Sequence, residues 1–302
     1  MESALPFHAI KASRIAAIVN HEIGGIHHAR KRYSRAITRS TKAIKHDPGY
    51  AYAYSNRGLC YQHLGQHNEA IEDFSVAARL DSNLAIAFYN RGISHKLNGA
   101  LNPAIDDFDR AISLNRNDVL AYSERGVTHY LRGDHARALK DHTASITACP
   151  TIPYYRVLRG YVHFNMAEFQ HAADDLAHAI SIKHDPGALL YYSLSIAHLE
   201  SLDAAAQKIK LENFVVRKWP FAMLEFYFDR RTLIETLAEA KSPTEQAETQ
   251  FFLGQWHLLH NNAAEATTAF LSTVENSPVC FIEHASAKAA LKRMGYPHID
   301  PP

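Results

Sequence analysis

Arginine and aspartate recur through the middle of the chain at a fixed spacing: Arg57, Arg91, Arg125 and Arg159 are followed sixteen residues later by Asp73, Asp107, Asp141 and Asp175. Such carboxylates could serve acid–base chemistry, whereas a guanidinium beside each would make a two-point ion pair. The degenerate copies choose between these readings. Where the arginine is replaced, by Ile23 or Leu253, the aspartate is replaced as well, by Arg39 or Ala269. Joint loss is what a pair requires, because a buried charge stripped of its partner costs about 3–5 kcal/mol. The eight residues are read as structural ion pairs, formed within a repeat or between neighbouring ones. Arg91 is expected within salt-bridge range of Asp107 or of the equivalent aspartate next door.

The other chemistry-bearing residues point away from catalysis. Five of the 20 histidines, His27, His95, His129, His163 and His257, occupy one repeat position, the one held by Tyr61. A zinc site gathers its ligands about 2.0–2.1 Å from one ion, and side chains distributed one to a repeat do not converge in that way. They are expected to be core fillers with one hydrogen bond each, and no metal or cofactor is expected. There is no phosphate-cradling glycine loop and no nucleophile elbow, and His21-Glu22 lacks the second histidine of a zincin helix. Cys60, placed on a helix, reads as a small apolar filler. No catalytic residue is assigned, and the chain is expected not to be an enzyme.

The elements that position these residues are helix pairs. The stretch from Ala51 to Asn83 carries Tyr54, Gly58, Tyr61, Gly65, Ala70, Phe74 and Ala77 ahead of a helix stop at Asp81-Ser82-Asn83. Small Gly58 and Ala70 let two antiparallel helices approach, while Tyr61, Phe74 and Ala77 fill the space towards the next helix. Gly65 ends the first helix at a positive φ. A shift of 34 residues returns the glycine as Gly24, Gly58, Gly92, Gly126 and Gly160, and the alanine as Ala36, Ala70, Ala104, Ala138 and Ala172. Pro48 and Pro150 occupy turns, and Pro103 opens a second helix. This is the spacing of the tetratricopeptide repeat, which the chain resembles from about residue 17 to 186. The resemblance implies an all-α fold, a right-handed α-solenoid of antiparallel helix pairs with a C-terminal helical cap module. Residues 1–16 lead into five repeats over 17–186; the first is degenerate, and the second helix of the fifth is two residues longer and ended by Asp185-Pro186.

Composition bounds the function. With 32 basic and 31 acidic side chains, no global field draws the chain to nucleic acid, and nucleic-acid binding is not expected. Cys60, Cys149 and Cys280 are odd in number and far apart, which argues against a disulfide framework. In residues 1–20, His8, Lys11, Ser13 and Arg14 break the apolar run that a signal peptide needs. No stretch approaches the roughly 20 apolar residues of a membrane span. As the sequence stands, the expected location is cytoplasmic. Ile10, Ile15, Ile18, Val19 and Ile23 make an apolar stripe on a first helix over 9–28. The next helix, about 30–46, carries Arg30, Lys31, Arg32, Arg35, Arg39, Lys42 and Lys45 and no acid. It is read as the solvated face of an end helix; the alternative is an anionic-surface binder, for membrane or nucleic acid, acting through this helix.

Beyond Pro186 the pattern loosens. Leu189 to Leu199 reads as a first helix, and Ala204-Ala205-Ala206 opens a second that Lys218-Trp219-Pro220 breaks. With short helices over Phe221 to Phe228 and Arg231 to Ala240, these make a degenerate repeat and a Trp-Pro module over 187–241. Ser242-Pro243-Thr244-Glu245 is a capping box with proline at the first helical position. It opens a last repeat with Phe251, Gly254, His257, Ala266 and Phe270, and a final helix from Phe281 to Met294 is expected to cover the apolar end of the solenoid. This repeat and helix fill 242–295, and 296–302 is a tail. Trp219-Pro220, Leu224-Glu225-Phe226-Tyr227, Phe251-Phe252-Leu253-Gly254-Gln255, Phe281-Ile282-Glu283-His284 and Ala290-Leu291-Lys292-Arg293 are similar in order and spacing to the C-terminal module of the bacterial tetratricopeptide outer-membrane lipoproteins that act as adaptors for peptidoglycan hydrolases and proteases. That resemblance implies a non-enzymatic bacterial scaffold, often a homodimer, that gathers client enzymes. It implies an envelope or periplasmic location only with an export signal upstream, and the chain shows no lipobox cysteine.

In a tetratricopeptide solenoid the first helices line the concave face. Here that face reads Tyr52, Ser55, Asn56, Leu59 and Gln62, then Tyr89, Asn90, Ile93 and Lys96, then Ser123, Glu124, Val127 and Tyr130, then Tyr154, Val157, Tyr161 and Phe164. It lacks the lysine, asparagine and arginine set with which such grooves clamp an acidic C-terminus. A peptide with apolar side chains fits better. Tyr52, Tyr89, Tyr130, Tyr154 and Tyr161 would supply contact area, and Asn56 and Asn90 would hydrogen-bond the ligand backbone. The alternative is that these tyrosines pack against neighbouring helices or the C-terminal module. The expected function is a protein-interaction scaffold for peptide or protein clients.

Overall fold

The structure is a computed structural model and describes residues 7–209, 211 and 219–296; Lys218, read above as part of a helix break, lies outside them. Every element among the described residues is an α-helix. Six pairs follow in order: α1 (Phe7–Ala29) and α2 (Tyr33–His46), α3 (Ala51–His63) and α4 (His67–Leu80), α5 (Ala85–Leu97) and α6 (Leu101–Leu114), α7 (Val119–Leu131) and α8 (His135–Ala148), α9 (Pro153–Asn165) and α10 (Phe169–Ile182), α11 (Pro186–Leu199) and α12 (Leu202–Lys208). Two short helices, α13 (Phe221–Tyr227) and α14 (Leu233–Glu239), lead to a seventh pair, α15 (Pro243–Leu259) and α16 (Ala263–Asn276), and to α17 (Ile282–Arg293).

One backbone position turns the chain between the helices of each of the first five pairs. Lys31, Gly65, Gly99, Gly133 and Ala167, at intervals of 34, all take a positive φ, from 55° to 85°. Glycine serves in three of the five because a Cβ is crowded there; at Lys31 and Ala167 the turn persists without it. The second helix of the fifth repeat is not lengthened: α10 has 14 residues, as α8 has. Asp185 instead caps α11 by accepting the Ala188 N–H, and Pro186 takes the first helical position. The capping box at Ser242 and Glu245 forms, and Thr232 with Glu235 forms another that the sequence reading passed over. α12 stops at Lys208, well ahead of the expected break.

The chain divides into two compact units, Met1–Glu124 and Arg125–Pro302. The division falls inside α7, within the run read as regular repeats. In the first unit, a Cβ on Gly58 or Gly92 would come within 3.0 or 2.9 Å of the rings of Phe74 and Phe108, and Ala36, Ala70 and Ala104 are fully buried. These are the close helix approaches that the small residues allow. α1 departs from expectation: it buries Ala17, while Ile15, Ile18 and Val19 of its apolar stripe are exposed. In the second unit, one core runs from Phe164 and Leu176 through Leu190, Tyr191 and Leu194 to Phe221, Leu224, Phe251, Phe270 and Leu291. The Trp-Pro module, the last helix pair and α17 are therefore built around the same core as the fifth repeat.

Candidate functional site

Each repeated arginine meets the aspartate of its own helix pair. Arg57 donates from Nε and Nη2 to the two Asp73 oxygens, both at 2.8 Å, and Arg91 to Asp107 at 2.8 and 2.6 Å. Arg125 to Asp141 measures 2.8 and 2.7 Å, and Arg159 to Asp175 measures 2.6 and 2.8 Å. All four aspartates are buried. The remaining nitrogen reaches the preceding pair: Arg57 Nη1 donates to Thr41 Oγ1, Arg91 Nη1 to Ser75 Oγ and Arg159 Nη1 to Thr143 Oγ1, at 3.1 to 3.2 Å. One guanidinium thus makes an ion pair within its repeat and a hydroxyl bond to the repeat before. The overlooked sequence signal was a hydroxyl two residues beyond the aspartate position. Burial pushes the Asp73 carboxyl up against the pull of Arg57, while the hydrogen bond to Asp73 raises Arg57; the deeper partner bears more of the desolvation. None of these groups lines the cavities described below.

The repeat-position histidines differ in their partners. His163 Nδ1 lies 2.6 Å from Glu168 Oε2, and Arg132 Nη2 lies 3.3 Å from His129 Nδ1. His27 and His257 depart from the expected single bond, in that each has a buried Nδ1 without a partner among the described residues. Among the described residues one of these histidines does meet other possible ligands: His163, Glu168 and His171 offer three ligand atoms within 4.8 Å of one another. The turn through Ala167 brings Glu168 back onto α9, a local closure that counting one histidine per repeat does not reveal. His142, not singled out in the sequence, stands where Phe74 and Phe108 stand in other repeats and is 1% exposed against Gly126. Burial, then Arg159, lowers its pKa to about 3.

The groove candidates separate into closed and open ones. In the first unit, Gln62 Nε2 donates to the Asn90 carbonyl at 3.1 Å and to Ser94 Oγ at 2.9 Å, and Lys96 pairs with Glu124. Each link joins one first helix to the next. Asn90 is 6% exposed, and Asn56 Nδ2 is buried beside Gly24. First helices close on one another at these positions. Tyr89 packs near the Phe108 ring, and Tyr52 is exposed beside Tyr50 and His21.

In the second unit, Tyr130 is 3% exposed. Its hydroxyl lies 2.7 Å from Ser286 Oγ and accepts from Asn165 Nδ2 at 2.7 Å, and Arg293 donates to the Asn165 carbonyl. Tyr130 is thus a packing residue, because α17 folds back onto α9 and occupies this part of the first-helix face. Tyr154 remains exposed, and Tyr161 is half-buried with its ring 4.3 Å from that of Tyr191. Ile152, Tyr154, Val157, Tyr161 and Ile282 line an open cavity of about 330 Å³, with Lys183 and Asp185 also in its lining. An adjoining cavity of about 410 Å³ contains Glu248 and Glu283. A third, of about 570 Å³ near the other end of α17, carries Arg132, His135, Lys288 and Lys292.

A tetratricopeptide-repeat family model matches residues 51–84. Among solved structures, MamA is 25% identical, covers 53% of this chain and 94% of its own, and superposes with a TM-score of 0.51. YrrB, a TPR protein with an unusual peptide-binding site, is 24% identical over 60% of this chain and 93% of its own, with a TM-score of 0.52. PilF of Pseudomonas aeruginosa is 15% identical over 79% and 98%, with a TM-score of 0.59. Residues 51–84 thus match a tetratricopeptide repeat, and the described residues are all-α and form helix pairs that pack as in such solenoids. No helix among the described residues is long and apolar enough to cross a membrane.

Proposed function

We propose that the protein is a non-catalytic interaction scaffold that holds an apolar segment of a client protein against Tyr154, Val157 and Tyr161. The observation that carries this reading is the open cavity of about 330 Å³ that these residues line with Ile152 and Ile282. Tyr154 and Ile152 are 52% and 44% exposed, so apolar surface stands ready at its mouth, and concave apolar surface with a few polar groups is what peptide segments select. A similar fold carries a peptide-binding site in YrrB. The buried Cys60 thiol, pushed up to about 11 by desolvation, is no nucleophile. The C-terminal resemblance points to envelope enzymes as clients and to a homodimer as the assembled form.

The test is photo-crosslinking from a benzoylphenylalanine placed at Tyr154, compared with one at exposed Tyr52, in cells that express the full chain. A client captured at Tyr154 and lost on Val157→Asp supports the reading; capture unaffected by Val157→Asp refutes it.

A second reading rests on α2 and the turn before it, where Arg30, Lys31, Arg32, Arg35, Lys42 and Lys45 are all exposed. It makes the protein a binder of anionic membrane or nucleic acid, with affinity falling steeply as salt rises. Absence of binding to anionic vesicles and to duplex DNA at low salt removes it.

A further inference from the structure

The cavity of about 410 Å³ beside Tyr161 has a charge problem. Tyr161, Tyr191, Phe252 and Phe281 wall it, Glu248 and Glu283 lie in it, and among the described residues no lysine, arginine or histidine lines it. Glu248 accepts the Trp219 indole N–H at 2.5 Å. Glu283, in the first turn of α17, has no side-chain donor among the described residues. Glu283 is half-buried; burial, then the nearby Glu248, pushes its pKa up to about 7 against a hydrogen bond from its own backbone N–H, and burial raises Glu248 as well.

Two carboxylates held close with no counter-charge destabilise a fold, and the burden is relieved when a cation enters. The walls favour the same guest, since aromatic faces are negative and attract ammonium and guanidinium groups. An anion would meet like charge, and an uncharged apolar group would leave the charge of Glu283 unbalanced.

We propose that this cavity is a recognition pocket for one basic side chain, lysine or arginine, of the client segment. Tyr161 and Ile282 line both this cavity and the apolar one, so a single segment can seat apolar residues against Tyr154 and Val157 and its basic residue beside Glu283. The assignment of the occupant rests on the scaffold reading above. It makes the preferred ligand an apolar stretch joined to a positive charge.

The Trp219 indole N–H is a built-in reporter, because it is bound to Glu248 at the pocket and the chain has only one other tryptophan, Trp256. Nitrogen-15 spectra of the full chain, with the indole signals assigned through Trp256→Phe, are titrated above the raised glutamate pKa. The probes are the N-acetyl methylamides of arginine and lysine, with those of citrulline and norleucine as uncharged controls. The expected result is a saturable shift of the Trp219 signal with the charged probes alone, weakened about tenfold or more in Glu283→Gln, which removes one charged hydrogen-bond partner. The tighter of the two charged probes identifies the head group. No shift with either charged probe, an equal shift with the uncharged ones, or unchanged affinity in Glu283→Gln overturns the proposal. Probe failure together with intact Tyr154 cross-linking removes the basic pocket and leaves the scaffold reading standing. Probe binding without any cross-link does the reverse.

Discussion

Removing Arg91 should cost more than removing the aspartate it binds, and the asymmetry follows from what each change leaves behind. The Arg91 side chain is 22% exposed and that of Asp107 is 7% exposed, with 2.6 Å between Nη2 and Oδ1. Arg91→Ala leaves a buried carboxylate whose nearest other basic atom is His95 Nε2 at 3.9 Å. Burial lowers the pKa of that imidazole, so at neutral pH it is no substitute cation. Breaking a buried pair from this side costs about 3–5 kcal/mol. Asp107→Ala instead leaves a guanidinium on a long stem that can turn towards water, and a cost of about 1–3 kcal/mol is expected. Ser75→Ala, which removes the bond to the preceding repeat, should cost about 1 kcal/mol.

The double variant Arg91→Ala/Asp107→Ala should fall short of the sum of its parts by about 1–3 kcal/mol. Urea unfolding followed by circular dichroism gives the ranking. Native-state hydrogen exchange locates the loss, with Ser75→Ala loosening the junction between the second and third repeats in particular. A strictly additive cycle, or Asp107→Ala costing more than Arg91→Ala, refutes the reasoning.

Four further changes test other parts of the fold. At the left-handed turn position, Ala167→Gly should stabilise by about 1 kcal/mol and Gly133→Ala should destabilise by about 1–2 kcal/mol, both read from thermal unfolding. His142→Phe restores the residue of the second and third repeats and removes a buried Nδ1 that has no partner among the described residues, so a gain of about 1 kcal/mol is expected at neutral pH. The gain should grow as pH falls below 6.5 towards 3, because a histidine held neutral in the fold but charged when unfolded favours the unfolded chain. Glu283, with its pKa raised to about 7, has the opposite sign: its contribution is fully present below the unfolded value near 4.5 and is lost as pH rises through 7. Measured as wild type against Glu283→Gln, that window spans about 3 kcal/mol, and a difference independent of pH between 4 and 8 would exclude a desolvated carboxyl.

The repeat was legible because the chain states it several times. A shift of 34 residues brings the glycines, the alanines and the arginine–aspartate pairs into coincidence, so even the partner of Arg91 could be narrowed to a few atoms. Interactions stated once were not legible. Gln62 to Asn90 and Lys96 to Glu124 fill equivalent places with unlike chemistry, and residue type alone did not show that these amides and charges face a neighbouring helix. The bond between Tyr130 and Ser286 spans 156 residues and belongs to no period. A tyrosine on a first helix reads the same whether a ligand or the chain's own last helix covers it.

That last helix also sets the character of the surface left for a client. Ala285, Ser286 and Ala287 are small and buried, which lets α17 lie close to α9, and the hydroxyl of Ser286 is within 3.3 Å of Tyr130, Asn165 and Tyr191. A buried polar cluster of this kind is satisfied in only one register of the helix, so α17 is fixed along its axis as well as across it. Its ends carry the charges that a helix dipole favours, Glu283 in the first turn and Lys292 and Arg293 in the last. Once the helix is laid on the first-helix face, those same charges become the walls of the cavities beside it, acidic near Tyr161 and basic near Arg132. The polarity of the proposed client site thus has a local cause: a helix that closes part of the groove gives the remainder a direction.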